Sequence, residues 1–220
     1  MKRNYEMDMC SGPILGKLLT FTIPLIFSGI LQLLFNAADV IVVGRFAGSQ
    51  SLAAVGSTTA LINLMINIFI GLSVGVNVIV ARYYGAKREK DVQDTIHTAM
   101  ALSIVSGLFL IILGQLLSRP MLELMGTPDD VIDKSTIYMR IIFIGMPANM
   151  IYNFGSAILR AVGDTKRPLY FLTAAGVINV VLNLFFVIMF RMDVAGVSLA
   201  TAISQAISAF LVIRCLMESE

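Results

Sequence analysis

Residues 46–81 read FAGSQSLAAVGSTTALINLMINIFIGLSVGVNVIVA, thirty-six consecutive positions without a charged side chain. One straight helix of that length would run about 54 Å, whereas the hydrocarbon core of a bilayer is about 30 Å thick. Part of the run must therefore turn, and Ala47-Gly-Ser-Gln-Ser51 holds the residues that turn a chain. The remaining stretch, from about 52 to 81, is a membrane span.

The same count, carried outward, finds the other spans. Upstream, Leu18 to Ala38 is uncharged, and apolar character continues through Val43 with only Asp39 interrupting. Downstream, Thr95–Ser118, Ile141–Leu159, Pro168–Phe190 and Val194–Ile213 are uncharged runs of 24, 19, 23 and 20 residues. A helix needs about 20 such residues to cross. The expected architecture is all-α and integral to the membrane, with six helices near 18–43, 52–81, 95–118, 137–159, 168–190 and 194–214. They occupy 14–217, behind a polar cytoplasmic segment 1–13.

Composition agrees. Of the 220 residues, 57% are hydrophobic and 14% charged, and mean hydropathy is +0.85. Ordinary soluble domains carry about 25% charge, so a soluble enzyme is excluded. The net charge of +2 and the scattering of the sixteen basic residues leave no nucleic-acid footprint. Cys10 and Cys215 stand far apart without metal-ligand spacing, and the single histidine, His97, falls at a span end, so no zinc or haem site is expected. The first apolar run is too long for a signal peptide. With the N-terminus in the cytoplasm, eleven Lys and Arg fall inside and five outside, which sets the orientation by the positive-inside rule.

Asp39 is the one acid within the spans. An ionised carboxylate in hydrocarbon costs a few kcal/mol or more, so it faces a cavity or a partner. Gln32, Asn36 and Asp39, spaced i, i+4, i+7, share one face of helix 1. Alternatively, Asp39 sits near the membrane surface and pairs with Arg45. At about 1.5 Å per residue, Asp39 lies about 6 Å below the outer end of its helix, Asn183 about 10 Å, Asn179 about 16 Å and Thr201 about 10 Å below theirs. All four therefore fit one layer in the outer half of the bilayer. A carboxylate, two amide oxygens and a hydroxyl suit a hard cation or a proton; interhelical hydrogen bonding accounts for them equally well.

Other positions are read as support. Pro24 and Pro147 lie inside the first and fourth helices and can bend them. Asn63 and Asn67 share a face of helix 2, and Tyr152 and Asn153 dot helix 4, all suited to interhelical hydrogen bonds. Gly71 and Gly75 have GxxxG spacing, which suits close helix contact. The thirteen Met and thirteen Phe can line an adaptable apolar pocket or face lipid. Gly71-Leu-Ser-Val-Gly75 matches GxSxG literally, but lies in an apolar helix without partner groups. No P-loop, HExxH motif or pair of intramembrane carboxylates is present in the sequence. No enzyme activity, cofactor or ATP hydrolysis is expected.

Several segments resemble the multidrug and toxic compound extrusion (MATE) family. Leu159-Arg-Ala-Val-Gly-Asp-Thr-Lys-Arg-Pro168 is similar to its cytoplasmic loop signature. Ala37-Ala-Asp-Val-Ile-Val-Val-Gly-Arg45 with Leu52-Ala-Ala-Val-Gly56 resembles its helix 1–helix 2 junction. Ala81-Arg-Tyr-Tyr-Gly-Ala-Lys87 resembles its second loop, and Gly196-Val-Ser-Leu-Ala-Thr-Ala-Ile-Ser-Gln205 its sixth helix. The resemblance implies the N-terminal six-helix lobe of a twelve-helix, two-lobe inner-membrane antiporter. Such a protein exports cationic, often aromatic, drug-like molecules against sodium or protons. It also implies that Asp39, Asn179, Asn183 and Thr201 form the coupling site, and that residues 218–220 begin a connection to a second six-helix lobe that completes the transporter. Many relatives carry an acid where this chain has Asn183. A lipid-linked precursor flippase of the same superfamily and a non-transporting membrane module are the alternatives. Neither the substrate nor the choice of sodium or proton is legible. A reporter fused after Glu89 is expected to read cytoplasmic and one fused at Asp129 external; the opposite result at both would overturn the orientation.

Overall fold

The computed structural model describes residue 12 and residues 14–218. The expected cytoplasmic segment 1–13, apart from Gly12, and the end of the expected connection 218–220 lie outside the described residues. Seven α-helices follow in order: α1 (Ile14–Phe46), α2 (Ser49–Gly85), α3 (Glu89–Leu124), α4 (Asp129–Ile144), α5 (Met146–Ala161), α6 (Lys166–Leu184) and α7 (Asp193–Met217). A single π-helical turn, Phe185–Met189, continues α6. Among the described residues, five helices are long and apolar enough to cross a membrane. The bent pair α4–α5 makes a sixth when taken as one span.

Five expectations are corrected in detail. The fourth helix is not one rod over 137–159: it runs from Asp129 to Ala161 and bends by 48° at Gly145. Pro147 sits in the first turn of α5, not inside a helix; lacking an N–H, it cannot bond back across the break. The loop expected over Ala47–Ser51 is shorter, because α2 already begins at Ser49. Gly48, at φ +87°, makes the reversal in a conformation open to glycine. The helices also overrun the uncharged runs. Charged turns are stable where water reaches them, and α3 starts on Glu89 and Asp91, whose charges suit a helix N-terminus. Finally, Gly71 and Gly75 touch nothing: a Cβ built on either would meet no atom within 4 Å.

Close helix contact is made by other glycines. A Cβ at Gly107 would lie 2.3 Å from the Cα of Pro147, and one at Gly114 2.1 Å from the ring of Phe143. Thus α3 presses against both sides of the α4–α5 bend. Gly155 makes room for Val212 of α7, and Gly176 of α6 receives the ring of Phe35 from α1, 1.9 Å from where a Cβ would stand. Without a hydrophobic driving force between helices in lipid, such close approach is what holds them. The bent span lines the interior: Met139, Phe143, Met146, Met150 and Phe154 are completely buried. By contrast, α1 buries only Pro24, Val42 and Val43, so it rests on the lobe's flank.

The segment between α5 and α6 shows why its residues take that order. Gly163 turns the chain at φ +88°. Asp164, fully buried, accepts hydrogen bonds from the N–H groups of Lys166 and Arg167 at 3.1 Å each, two donors that the first turn of a helix leaves free. Its second oxygen accepts the Arg167 Nε–H, so the buried charge is paired. The Tyr152 hydroxyl donates to the Pro168 carbonyl at 3.1 Å and ties α5 to the start of α6.

Gly114→Leu should lower the melting temperature of the detergent-solubilised chain, costing about 1–3 kcal/mol for overpacking. Gly71→Leu should leave it within a degree or two; equal losses in both would show that the glycine contacts do not hold the lobe.

Candidate functional site

Asp39 sits near the end of α1, seven residues before Phe46. On α6, Asn179 and Asn183 are one turn apart and face inward, with 5% and 0% of their surface exposed. On α7, Thr201 stands two turns from the helix start, its hydroxyl donating to the Val197 carbonyl at 3.0 Å. That bond leaves the hydroxyl lone pairs free to accept, and Asn179 Nδ2 donates to Thr201 Oγ1 at 3.2 Å. Asn183 Nδ2 donates to both Asn179 Oδ1, at 3.1 Å, and Asp39 Oδ1. A continuous chain of side-chain hydrogen bonds therefore runs Thr201–Asn179–Asn183–Asp39 across three helices. Asn183 Oδ1 is enclosed and receives no hydrogen bond.

Packing brings the three helices to this layer. Phe35, one turn before Asp39 on α1, fills the notch at Gly176, which lies one turn before Asn179 on α6. The notch fixes how far α1 can approach, and Asp39 and Asn183 then meet. Arg45, the alternative partner of Asp39, is exposed, and no ion pair joins them among the described residues.

The network opens on a cleft of about 120 Å³ between α1, α5, α6 and α7. Gln32, Asn36 and Asp39 all line it, as do Asn179 and Thr201. Among the described residues, Asp39 is the one charged side chain on its wall. Asn149, Tyr152 and Asn153 from α5, and Ser204, Gln205 and Ser208 from α7, complete the polar lining. The sequence assigns Tyr152 and Asn153 to interhelical hydrogen bonds and gives no role to Asn149, Ser204, Gln205 and Ser208. The signal was there: 149, 152 and 153 share one face of a helix, as do 201, 204, 205 and 208. Within this set Asn153 Nδ2 donates to Asn149 Oδ1 at 2.7 Å, and Gln205 Oε1 is buried without a donor.

The other support residues fall elsewhere. Asn63 and Asn67 do not reach the cleft; they lie on an exposed face of α2, with Asn67 Nδ2 bonded to the Asn63 carbonyl at 2.8 Å. Pro24 is buried within a continuous α1, and Pro147 stands at the α4–α5 bend. The acceptor atoms along this chain of hydrogen bonds are oxygens: one carboxylate, two amide carbonyls and a hydroxyl. Hard cations take oxygen ligands, and a carboxylate can also take a proton, so the layer is chemically equipped for either. Among the described residues no group of three or more His, Cys, Asp or Glu side chains is placed to hold a metal ion.

Most of the lobe matches a known family. A profile of the MatE family covers residues 24–185. The chain belongs to the MatE family. It is similar to the probable multidrug resistance protein YoeA of Bacillus subtilis (strain 168), 34% identical over 197 residues that make up 88% of this chain and 42% of that protein. It is also similar to an FAD transporter of Shewanella oneidensis, 28% identical over 201 residues, 89% of this chain and 44% of that one. Among solved structures, that of MATE in the bent conformation superposes with a TM-score of 0.86 at 26% identity, over 92% of this chain and 45% of that one. MATE in the straight conformation gives 0.85 at the same identity. The MatE chain described here spans less than half the length of the curated relatives it matches. It is a multi-pass membrane protein whose lobe has the MATE fold.

Asn183→Ala should destabilise the lobe by about 1–3 kcal/mol, because the buried Asn179 and the partly buried Asp39 then lose the donor they share. Asn63→Ala should cost little. Thermal release of the buried Cys215 thiol to a thiol-reactive dye in detergent reads both, and equal midpoints would contradict the network's structural weight.

Proposed function

We propose that this chain is one lobe of a secondary exporter of cationic, often aromatic, small molecules, with Asp39 as the group that couples export to a sodium or proton gradient. In this reading the N-terminus is cytoplasmic, the membrane is the cell's inner membrane, and a second six-helix lobe supplies the facing wall of the substrate cavity. The observation that carries it is the hydrogen-bonded chain from Asp39 through Asn183 and Asn179 to Thr201 at the head of a polar cleft. The naming of YoeA and its relatives as multidrug resistance proteins supports the substrate class.

The mechanism follows from where the charge sits. Asp39 is carried by the helix with the fewest buried residues, whereas Asn179, Asn183 and Thr201 belong to helices packed into the lobe. An ion bound between the Asp39 carboxylate and the amide oxygens ties α1 to α6 and α7. A proton on the carboxylate instead removes its charge and reverses its hydrogen bonding, since a carboxylic acid also donates. Either event changes how firmly α1 closes over the cleft, with Pro24 as the bend point. Coupling arises if inward- and outward-open states bind the ion with different affinity. The cleft's neutral amides and hydroxyls, with one carboxylate, favour a substrate that is cationic and rich in hydrogen-bond donors.

The test pairs the chain with a second lobe, fused or co-expressed, in vesicles. Asp39→Asn should express and fold normally, because an amide keeps the shape and removes a costly charge. It should nevertheless cut gradient-driven efflux of a cationic dye at least ~10-fold, the effect of about 1.4 kcal/mol. Asn183→Asp should tighten ion or proton binding, since neighbouring carboxylates disfavour joint ionisation. Undiminished coupling in Asp39→Asn would overturn Asp39 as the coupling group. Transport of a flavin nucleotide but of no cationic dye would overturn the substrate class.

A further inference from the structure

Immediately beyond Asn183 the backbone departs from regular geometry. Phe185–Met189 form a π-helical turn, and the chain then reverses through Arg191 at φ +53° and Asp193 at φ +45°. Neither residue is glycine, and side-chain-bearing residues held in this region are strained unless their surroundings over-determine them. A π turn holds one residue more than an α turn allows. Losing it would rotate one side of the helix against the other by about 100°. The residue on the near side is Asn183, the donor to Asp39.

Three contacts hold the strained reversal. Met192 N–H bonds back to the Phe186 carbonyl at 3.2 Å. Gly196 packs against Phe186 and Met192 so tightly that a Cβ would stand 3.0 and 3.1 Å from theirs. Lys134, from the middle helix α4, reaches Asp193 Oδ2 at 3.2 Å and the fully buried Ser51 Oγ of α2 at 3.1 Å. This last contact is the one that comes from outside the α6–α7 hairpin, and it joins three helices at one ammonium group. The pocket beside it, about 290 Å³, is lined by Phe46, Val187, Ile188, Arg191 and Asp193, so there is room for the turn to rearrange.

We infer that Lys134 is a positioning residue: its tie to Asp193 and Ser51 holds the α6–α7 reversal in its strained form, keeps the π turn in place and so keeps Asn183 aimed at Asp39. The inference concerns the register of α6 and stands whether or not the chain exports anything. Its test needs no transport.

In a background of Cys10→Ser and Cys215→Ala, Val187→Cys places a thiol at a buried position of the π turn, where Val187 is 4% exposed. The rate of its reaction with a water-soluble maleimide, in purified detergent-solubilised chain, reports the turn's conformation. Lys134→Met should raise that rate at least ~5-fold. Adding Arg191→Gly to Lys134→Met should bring the rate back towards the starting value, because glycine occupies that φ without strain. The exchange Lys134→Asp with Asp193→Lys should restore protection within about twofold by remaking the ion pair. Where Lys134→Met does not give a monodisperse protein, Ser51→Ala removes one of the two bonds and should give an intermediate rate. A rate unchanged by Lys134→Met, or by Ser51→Ala in its place, would overturn the inference. So would a fast rate in Lys134→Met that Arg191→Gly leaves fast, since the reversal would then not be held against strain.

Discussion

A carboxylate that lies within the membrane-spanning part of a lobe must find its partners inside the protein, and Asp39 finds them through Asn183. Arg45, its possible counter-charge, is exposed and forms no ion pair with it among the described residues. One amide therefore serves two acceptors, and this doubling fixes much else. Asn183 and Asn179 must lie one turn apart on a packed helix, and Thr201 must spend its own proton on Val197 so that it can accept from Asn179. The small residue at Gly176 then lets α1 come close enough for the first bond to form. The candidate site is thus the means by which the most exposed helix is attached to the lobe. An event that alters the charge on Asp39 necessarily acts on that attachment.

The same constraint shapes the far end of α6. Asp164, a fully buried carboxylate, is answered differently, by two backbone donors and a guanidinium. Full pairing makes it a fixed cap, with no lone pair directed at a cleft. Asp39 has a single amide donor and an adjacent carbonyl, Asn183 Oδ1, that receives nothing. The two carboxylates, one before α6 and one on α1, thus differ in how fully their hydrogen bonding is met. Buried polar groups are expected to be satisfied, and in the proposed reading the incomplete one is where an ion or proton enters.

How much of this is legible in the sequence depends on whether the deciding signal is compositional or geometric. Uncharged runs mark the spans because hydrocarbon excludes charge, and a lone acid among them marks Asp39 for the same reason. Helical spacing places Asn179 and Asn183 on one face. The bend at Gly145 is half visible: Pro147 announces a disturbance, but a count of apolar residues cannot say that the span breaks before it. The π turn is invisible, since Phe185–Met189 is as apolar as any α-helical turn and its extra residue appears only in three dimensions. Gly71 and Gly75 mislead because GxxxG spacing states that a helix can be approached closely without stating that anything approaches. The glycines that matter, Gly107, Gly114, Gly155 and Gly176, are set by the large side chains opposite them, which the linear sequence does not bring near.

The central claim is that Asp39 is the group that takes up the coupling ion. The most direct measurement is infrared difference spectroscopy of the lipid-embedded protein, recorded as sodium is added and, separately, as pH is lowered. The account predicts a change in a carboxyl or carboxylate stretching band under one of the two conditions, present in the wild-type chain and missing in Asp39→Asn. A band change of the same size in both proteins, or none in either, would contradict it.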